Sequence, residues 1–218
     1  MSQNPGPIIL FGGTFDPPHR GHVELPARAA DLVGASKVLF IPTGVNPQKT
    51  THPPTEAIHR VAMLEAGITG DPRASISRLE LERSGPSYTV DTVTALDAAL
   101  GPEHPPMRLL IGADQALNFR TWRRWQELEA LAEPLVMPRA PHTIDRLEER
   151  FEEAHPGEAG KWMGRVLDLP EVDICSTTIR EAVRTGSDLE TMLTKPIIDY
   201  ILENGLYGAP PRQGRIGT

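Results

Sequence analysis

The chain predicts an α/β fold: a doubly wound, Rossmann-like parallel sheet with helices on both faces and a small C-terminal helical segment. Three observations predict it. Short apolar runs recur down the chain, segments of helical periodicity separate them, and glycine or proline stands at most of the junctions. Ile8–Phe11 is a continuous apolar strand of the kind buried on both faces. Gly21 to Gly34 reads as a helix closed by a C-terminal glycine, with Pro26 about one turn in, where a kink or an irregular first turn is expected. Val38–Ile41 is a second strand, and Pro42 to Thr55 is a loop rich in Pro, Asn and Thr, long enough to be functional. Glu56 to Gly67 is helical, with Ile58, Val61, Met63 and Leu64 as its apolar stripe. Ala74–Ser77 is a short strand, followed by a polar stretch from Glu80 to Pro86. Thr89–Leu100 reads as a helix, Leu109–Gly112 as a buried strand, Trp122–Ala132 as a helix and Leu135–Met137 as a strand. Ile144–Ala154 is a charged helix whose Glu148–Glu153 run marks a solvated face. Val166–Leu169 is expected as a last strand, and Thr177–Arg184 and Lys195–Asn204 as closing helices. In such sheets ligands sit beyond the carboxyl ends of the strands. The Gly12 turn, the Pro42 loop, the Gly112 turn and the Pro138 loop all fall there, so one site is expected. Residues 1–218 are read as a single domain, 1–170 forming the sheet core and 171–218 the helical part.

Composition narrows the partners. The 218 residues are 39% hydrophobic and 23% charged, as in ordinary globular enzymes. Acidic residues outnumber basic ones, 29 to 22, which argues against broad nucleic-acid binding. An anionic ligand must therefore be met by local positive features. The single Cys175 excludes an intramolecular disulfide and fits a reducing cytoplasm. No apolar run of membrane-spanning length and no leader pattern occurs, so a cytoplasmic protein without membrane attachment is expected. A homo-oligomer is compatible with all of this. The prolines are spread among loops, and no internal repeat is found.

The most informative segment is Gly12-Gly13-Thr14-Phe15-Asp16-Pro17-Pro18-His19-Arg20-Gly21-His22, directly after the first strand. Glycines let backbone N–H groups approach anionic oxygens. A helix N-terminus adds further donors and roughly half a positive charge. Two imidazoles three residues apart add side-chain donors. Imidazoles so spaced can also share zinc, but a zinc site needs further ligands and the only cysteine is far downstream. Phosphate binding is the better reading, with Thr14 offering a hydroxyl and a backbone N–H. Phe15 is most simply core, and Asp16 suits capping of the following segment as well as a direct role.

A second constellation is Ile174-Cys175-Ser176-Thr177-Thr178-Ile179-Arg180. Serine and threonines before an apolar residue form a helix-start signature, with Glu181 at capping-box spacing from Thr178. Arginine in a first turn opposes the helix dipole, and an anionic partner would explain Arg180. Three more stretches complete the pattern: Ser87-Tyr88-Thr89-Val90-Asp91-Thr92, Ile111-Gly112-Ala113-Asp114, and Asn118-Phe119-Arg120-Thr121-Trp122 leading to Trp125.

Together these motifs resemble nicotinate-nucleotide adenylyltransferase, of the nucleotidyltransferases marked by an (H/T)xGH signature, here His19-Arg20-Gly21-His22. The likeness runs from Phe11 to Arg139 and from Ile174 to Tyr207, with Thr143–Asp173 its least distinctive part. It implies transfer of AMP from ATP to nicotinate mononucleotide, with His19, His22 and Arg180 catalytic and Mg²⁺ carried in with ATP rather than held by a metal site of the protein. The implied ATP-binding set is Gly12, Gly13, Thr14, Phe15, His19, His22, Gly112, Asp114, Ser176, Thr177 and Arg180, with Asp114 at a ribose hydroxyl. For the acceptor it implies Trp122 stacked on the pyridine, Tyr88 and Thr89 beside the nicotinate carboxylate, and Lys49 and Arg139 as cationic contacts. Trp125 is expected in the core, and His59-Arg60 on helical surface. Two positions depart from the family pattern. Cys175 replaces the usual first serine, and Gln48 stands where a histidine is usual. Pantetheine-phosphate adenylyltransferase shares the first motif but lacks the Ser87–Thr92 and Thr121–Trp125 patterns. A nicotinamide acceptor and a non-enzymatic ATP-binding regulator are the remaining alternatives.

Overall fold

The computed structural model describes residues 5–44, 53–138 and 144–209. A sheet of five parallel strands is built from β1 (Ile8–Gly13), β2 (Lys37–Pro42), β3 (Ala74–Ile76), β4 (Met107–Gly112) and β5 (Ala132–Met137). Their order is β3-β2-β1-β4-β5, so the direction of winding reverses between β1 and β4. Side chains alternate across each strand. Ile8 and Leu10 enter one core, Ile9 and Phe11 the other.

Helices cover both faces. The Ile9/Phe11 side receives α1 (Arg20–Val33) through Leu25, Ala29 and Ala30, and α2 (Ala57–Ile68) through Leu64 and Ile68. A four-residue helix, α3 (Leu79–Glu82), precedes α4 (Thr89–Leu100), which buries Val90, Val93 and Leu96 against the opposite face. On that face also lie α5 (Ala113–Leu117), α6 (Trp125–Leu131), α7 (Ile144–Ala154) and α8 (Ala159–Met163). The chain closes with α9 (Ser176–Thr185) and α10 (Lys195–Glu203). Ile179, Val183, Leu193, Ile197 and Ile201 pack there on Met63 of α2, forming a third, smaller core.

The α/β expectation stands, with local corrections. Val166–Leu169 is no strand: Val166 makes one isolated bridge to Val136. α1 runs unbroken through the buried Pro26. Ile58 is 70% exposed, because only Val61, Met63 and Leu64 of its stripe face the sheet and the third core. The expected helix over Trp122–Ala132 begins only at Trp125; Arg124, in the left-handed region at φ 51°, breaks it from the 3₁₀ turn at Phe119–Thr121. Within the expected polar stretch, α3 carries Glu80 into a buried position.

Candidate active site

A cavity of about 740 Å³ opens at the carboxyl ends of β1 and β4, where the winding reverses. Its wall contains Gly12, Gly13, Thr14, His19 and His22 from the first motif and Gly112 and Asp114 from the end of β4. Tyr88, Thr89 and Trp122 complete it. Segments more than 100 residues apart in sequence thus converge on one volume, of the size that takes small-molecule ligands.

The glycine segment differs from a simple glycine turn. Gly12 and Gly13 end β1, paired with Ile41 and Pro42, and neither needs the left-handed region. The residue that turns the chain is Phe15, at φ 52°. Its ring is 1% exposed and packs against Phe11 at 5.7 Å and His22 at 5.2 Å between ring centres. Phe15 therefore lies behind the cavity wall, not in it. His19 occupies the N-cap of α1 in extended conformation, and His22 follows within the first turn. Their rings stack with centres 3.6 Å apart, presenting two imidazoles at the positive end of a 14-residue helix.

Behind this turn lies a polar network. Arg60 of α2 is 2% exposed and donates from Nη1 to the Thr14 carbonyl (2.7 Å) and from Nε to the Thr55 carbonyl (2.9 Å). It is a buried cation behind the glycine segment, not the helical surface expected for His59-Arg60. Burial lowers its pKa, while the Asp16 carboxylate acts the other way. Asp16 accepts from the Tyr207 hydroxyl at Oδ1 (2.7 Å) and from the Thr55 backbone N–H at Oδ2 (3.2 Å). Its backbone carbonyl accepts from Arg180 Nη1 at 2.7 Å.

Ser176, Thr177 and Arg180 adjoin the cavity without lining it. Ile174, just ahead of them, is in the wall, and Ser176 Oγ donates to the Pro17 carbonyl at 3.1 Å. Arg180 sits in the second turn of α9, not the first, and also donates to Thr177 Oγ1 at 3.1 Å. Its position is thus explained in part by bonds within the protein. The expected capping box is not formed: Cys175 is the N-cap, which makes Thr178 the third helical residue, and Glu181 pairs with Arg184. The amides of Thr178 and Thr177 hold the Cys175 thiol below its ordinary pKa.

Elsewhere in the wall, Trp122 packs on Phe119 with centres 5.5 Å apart. Trp125 is partly buried against the core, with Arg120 stacked on it at 5.5 Å. Glu80 enters the wall with its pKa raised by burial; the Thr92 hydroxyl, donating to it at 2.9 Å, acts against that rise. Two contributors escaped the sequence reading. Arg123 joins the wall and stacks on Tyr88 at 4.6 Å, a position signalled only by the basic pair between Trp122 and Trp125. Arg60 had no local signal, since its role depends on how α2 meets the glycine segment. Lys49, Gln48 and Arg139 lie outside the described residues. Among the described residues, no group of three or more His, Cys, Asp or Glu could hold a metal, and no helix is long and apolar enough to cross a membrane.

Comparison with known proteins agrees with the fold. A cytidylyltransferase-like family model matches residues 10–182. A Symbiobacterium thermophilum protein named "Probable nicotinate-nucleotide adenylyltransferase" is 36% identical over 202 residues, 92% of this chain and 94% of its own. A Geobacillus thermodenitrificans protein of the same name is 34% identical, covering 94% of this chain and 87% of its own. Among solved structures, Plasmodium falciparum nicotinic acid mononucleotide adenylyltransferase complexed with NaAD superposes with a TM-score of 0.72 at 18% identity, over 94% of this chain and 98% of that one. With a fold of that kind and relatives aligned over nearly their whole length, the chain belongs to the nicotinate-nucleotide adenylyltransferase family, within the cytidylyltransferase-like nucleotidyltransferases.

Proposed function

We propose that this protein transfers AMP from ATP to nicotinate mononucleotide, giving deamido-NAD and pyrophosphate in NAD biosynthesis. One observation carries the reading beyond family membership: a single cavity joins the stacked His19–His22 pair at a helix N-terminus to an aromatic wall at Trp122 and Tyr88. The first end suits a triphosphate, the second a flat pyridine ring.

In this reading a 5′-phosphate oxygen of the mononucleotide attacks the α-phosphorus of ATP in line. The bond from the α-phosphorus to its bridging oxygen breaks, and pyrophosphate leaves with the electron pair. The attacking phosphate is already ionised near neutral pH, so the protein's task is positioning and charge stabilisation. His19 and His22 donate to oxygens at the reacting phosphorus, helped by the amides that begin α1. Thr177, Ser176 and Arg180 hold the departing pyrophosphate from the α9 side, and Asp114 accepts from a ribose hydroxyl. Mg²⁺ arriving with ATP would supply charge neutralisation at its phosphates; the residues assigned to those phosphates offer imidazoles, hydroxyls and a guanidinium, which suit phosphate oxygens rather than a resident cation. Trp122 stacks on the pyridine, with Tyr88 and Thr89 beside its carboxylate, and Lys49 and Arg139 supply further positive charge.

The test supplies ATP, Mg²⁺ and equal nicotinate and nicotinamide mononucleotides, then resolves the dinucleotides. Predominant deamido-NAD is expected; predominant NAD would reverse the acceptor assignment. His22→Ala should lower turnover by about 10²–10³, the effect of losing one preorganised donor. A loss under about threefold in the folded variant would remove His22 from that role.

A further inference from the structure

Among the described residues, the cavity wall contains one lysine or arginine, Arg123. It stands over Tyr88, its guanidinium 4.6 Å from the centre of that ring. Tyr88 is the N-cap of α4, and Thr89 and Val90, which follow it, also line the cavity. The first amides of a helix lack carbonyl partners within it, so this corner combines backbone donors with a permanent cation.

The Arg123 charge is only loosely compensated. Asp91 is the carboxylate within 4 Å of it among the described residues, at 3.9 Å, and Arg124 holds that same carboxylate at 3.1 Å. Ring stacking rather than a close ion pair thus sets the guanidinium's position. A guanidinium lying on an aromatic face keeps its N–H edge available for a planar, two-oxygen acceptor. The pyridine of a mononucleotide stacked at Trp122 would carry such a group into this corner. A carboxylate there accepts from both N–H groups and gains from the positive charge. A carboxamide presents one acceptor, two N–H donors and no charge.

We propose that Arg123 is a specificity-determining residue, favouring a pyridine carboxylate over the neutral carboxamide. This rests on the acceptor site proposed above. Its test measures kcat/KM for nicotinate and nicotinamide mononucleotides with the parent protein, Arg123→Gln and Arg123→Lys. The parent-to-variant change in the nicotinate-over-nicotinamide ratio should be about tenfold for Arg123→Gln, the scale of one charge-assisted hydrogen bond at a half-exposed site. Arg123→Lys should keep part of the preference, since it retains the charge but loses the planar edge. A ratio unchanged within about twofold, including equal losses on both acceptors, would overturn the Arg123 role while leaving the proposed reaction standing. A parent protein that uses neither acceptor would overturn the proposed reaction and this role with it.

Discussion

Gly13 is required by what stands behind it. A Cβ built there would lie 2.9 Å from Cε1 and 3.0 Å from Cζ of Phe15, whose ring is buried among Phe11, Phe40 and His22. That ring has no open space to retreat into, so the added methyl must displace it or the strand end. Gly13→Ala should destabilise the protein by about 1–3 kcal/mol, the usual cost of overpacking a filled site. It should also slow AMP transfer, because His22 rests against the same ring. Denaturant unfolding and a turnover assay on the one variant check both; unchanged stability would show that the ring yields freely. Gly12 is different: a Cβ there meets nothing nearer than a carbonyl oxygen at 4.0 Å. The motif thus spells two adjacent glycines with one demanding position, a distinction that depends on where the Phe15 ring folds back.

The α7–α8 pair, the least distinctive part of the sequence, braces the cavity wall at Trp122. Rings succeed one another from Trp122 to Phe119 at 5.5 Å, to Trp162 at 5.5 Å, and from there to His155 at 4.6 Å and Phe151 at 5.6 Å. His155 is fully buried and bonds the Ala116 carbonyl through Nε2 at 2.8 Å, tying the end of α7 to α5. Burial holds its imidazole below the ordinary pKa. As pH falls, the unfolded chain therefore takes up this proton first, and the His155 contribution to stability, present in full above about pH 6.5, is lost below it. Unfolding midpoints at pH 7.5 and pH 5.5 should thus differ less for His155→Gln, which has no imidazole to charge, than for the parent. Parallel slopes for the two proteins would remove His155 from the acid response.

Across the molecule, the sheet and the C-terminal helices meet at Asp16. Tyr207 reaches its side chain, Arg180 its carbonyl and Ser176 the carbonyl of Pro17, while Thr55 brings in the stretch before α2. The third core, where α9 and α10 pack on Met63, keeps these donors in place. Burial and the adjacent Asp16 carboxylate raise the Tyr207 pKa, so its phenol remains a protonated donor throughout the physiological range. Tyr207→Phe removes that donor alone. It should cost about 1 kcal/mol, the net worth of one hydrogen bond, and slow AMP transfer by loosening the segment that leads into His19. A variant as active as the parent would confine Tyr207 to a structural role.

The alternation of apolar runs with helical periodicity already specified the α/β class, because parallel strands buried on both faces must be written almost wholly in apolar residues. The glycine–histidine segment likewise pointed to a phosphate site as an expectation, since few arrangements place two imidazoles at a helix start after two glycines. Tertiary packing decided the rest. It brought Tyr88, Asp114 and Trp122 around one cavity with His19 and His22, and carried Phe15 behind the wall. It turned Arg180 toward the Asp16 carbonyl and buried Arg60 beneath Thr14. It also left Ile58 in solvent and Val166 with a single bridge. Local pattern encodes which face of an element is apolar, but partners 40 to 190 residues away are chosen by how the layers meet, and only the folded chain contains that information.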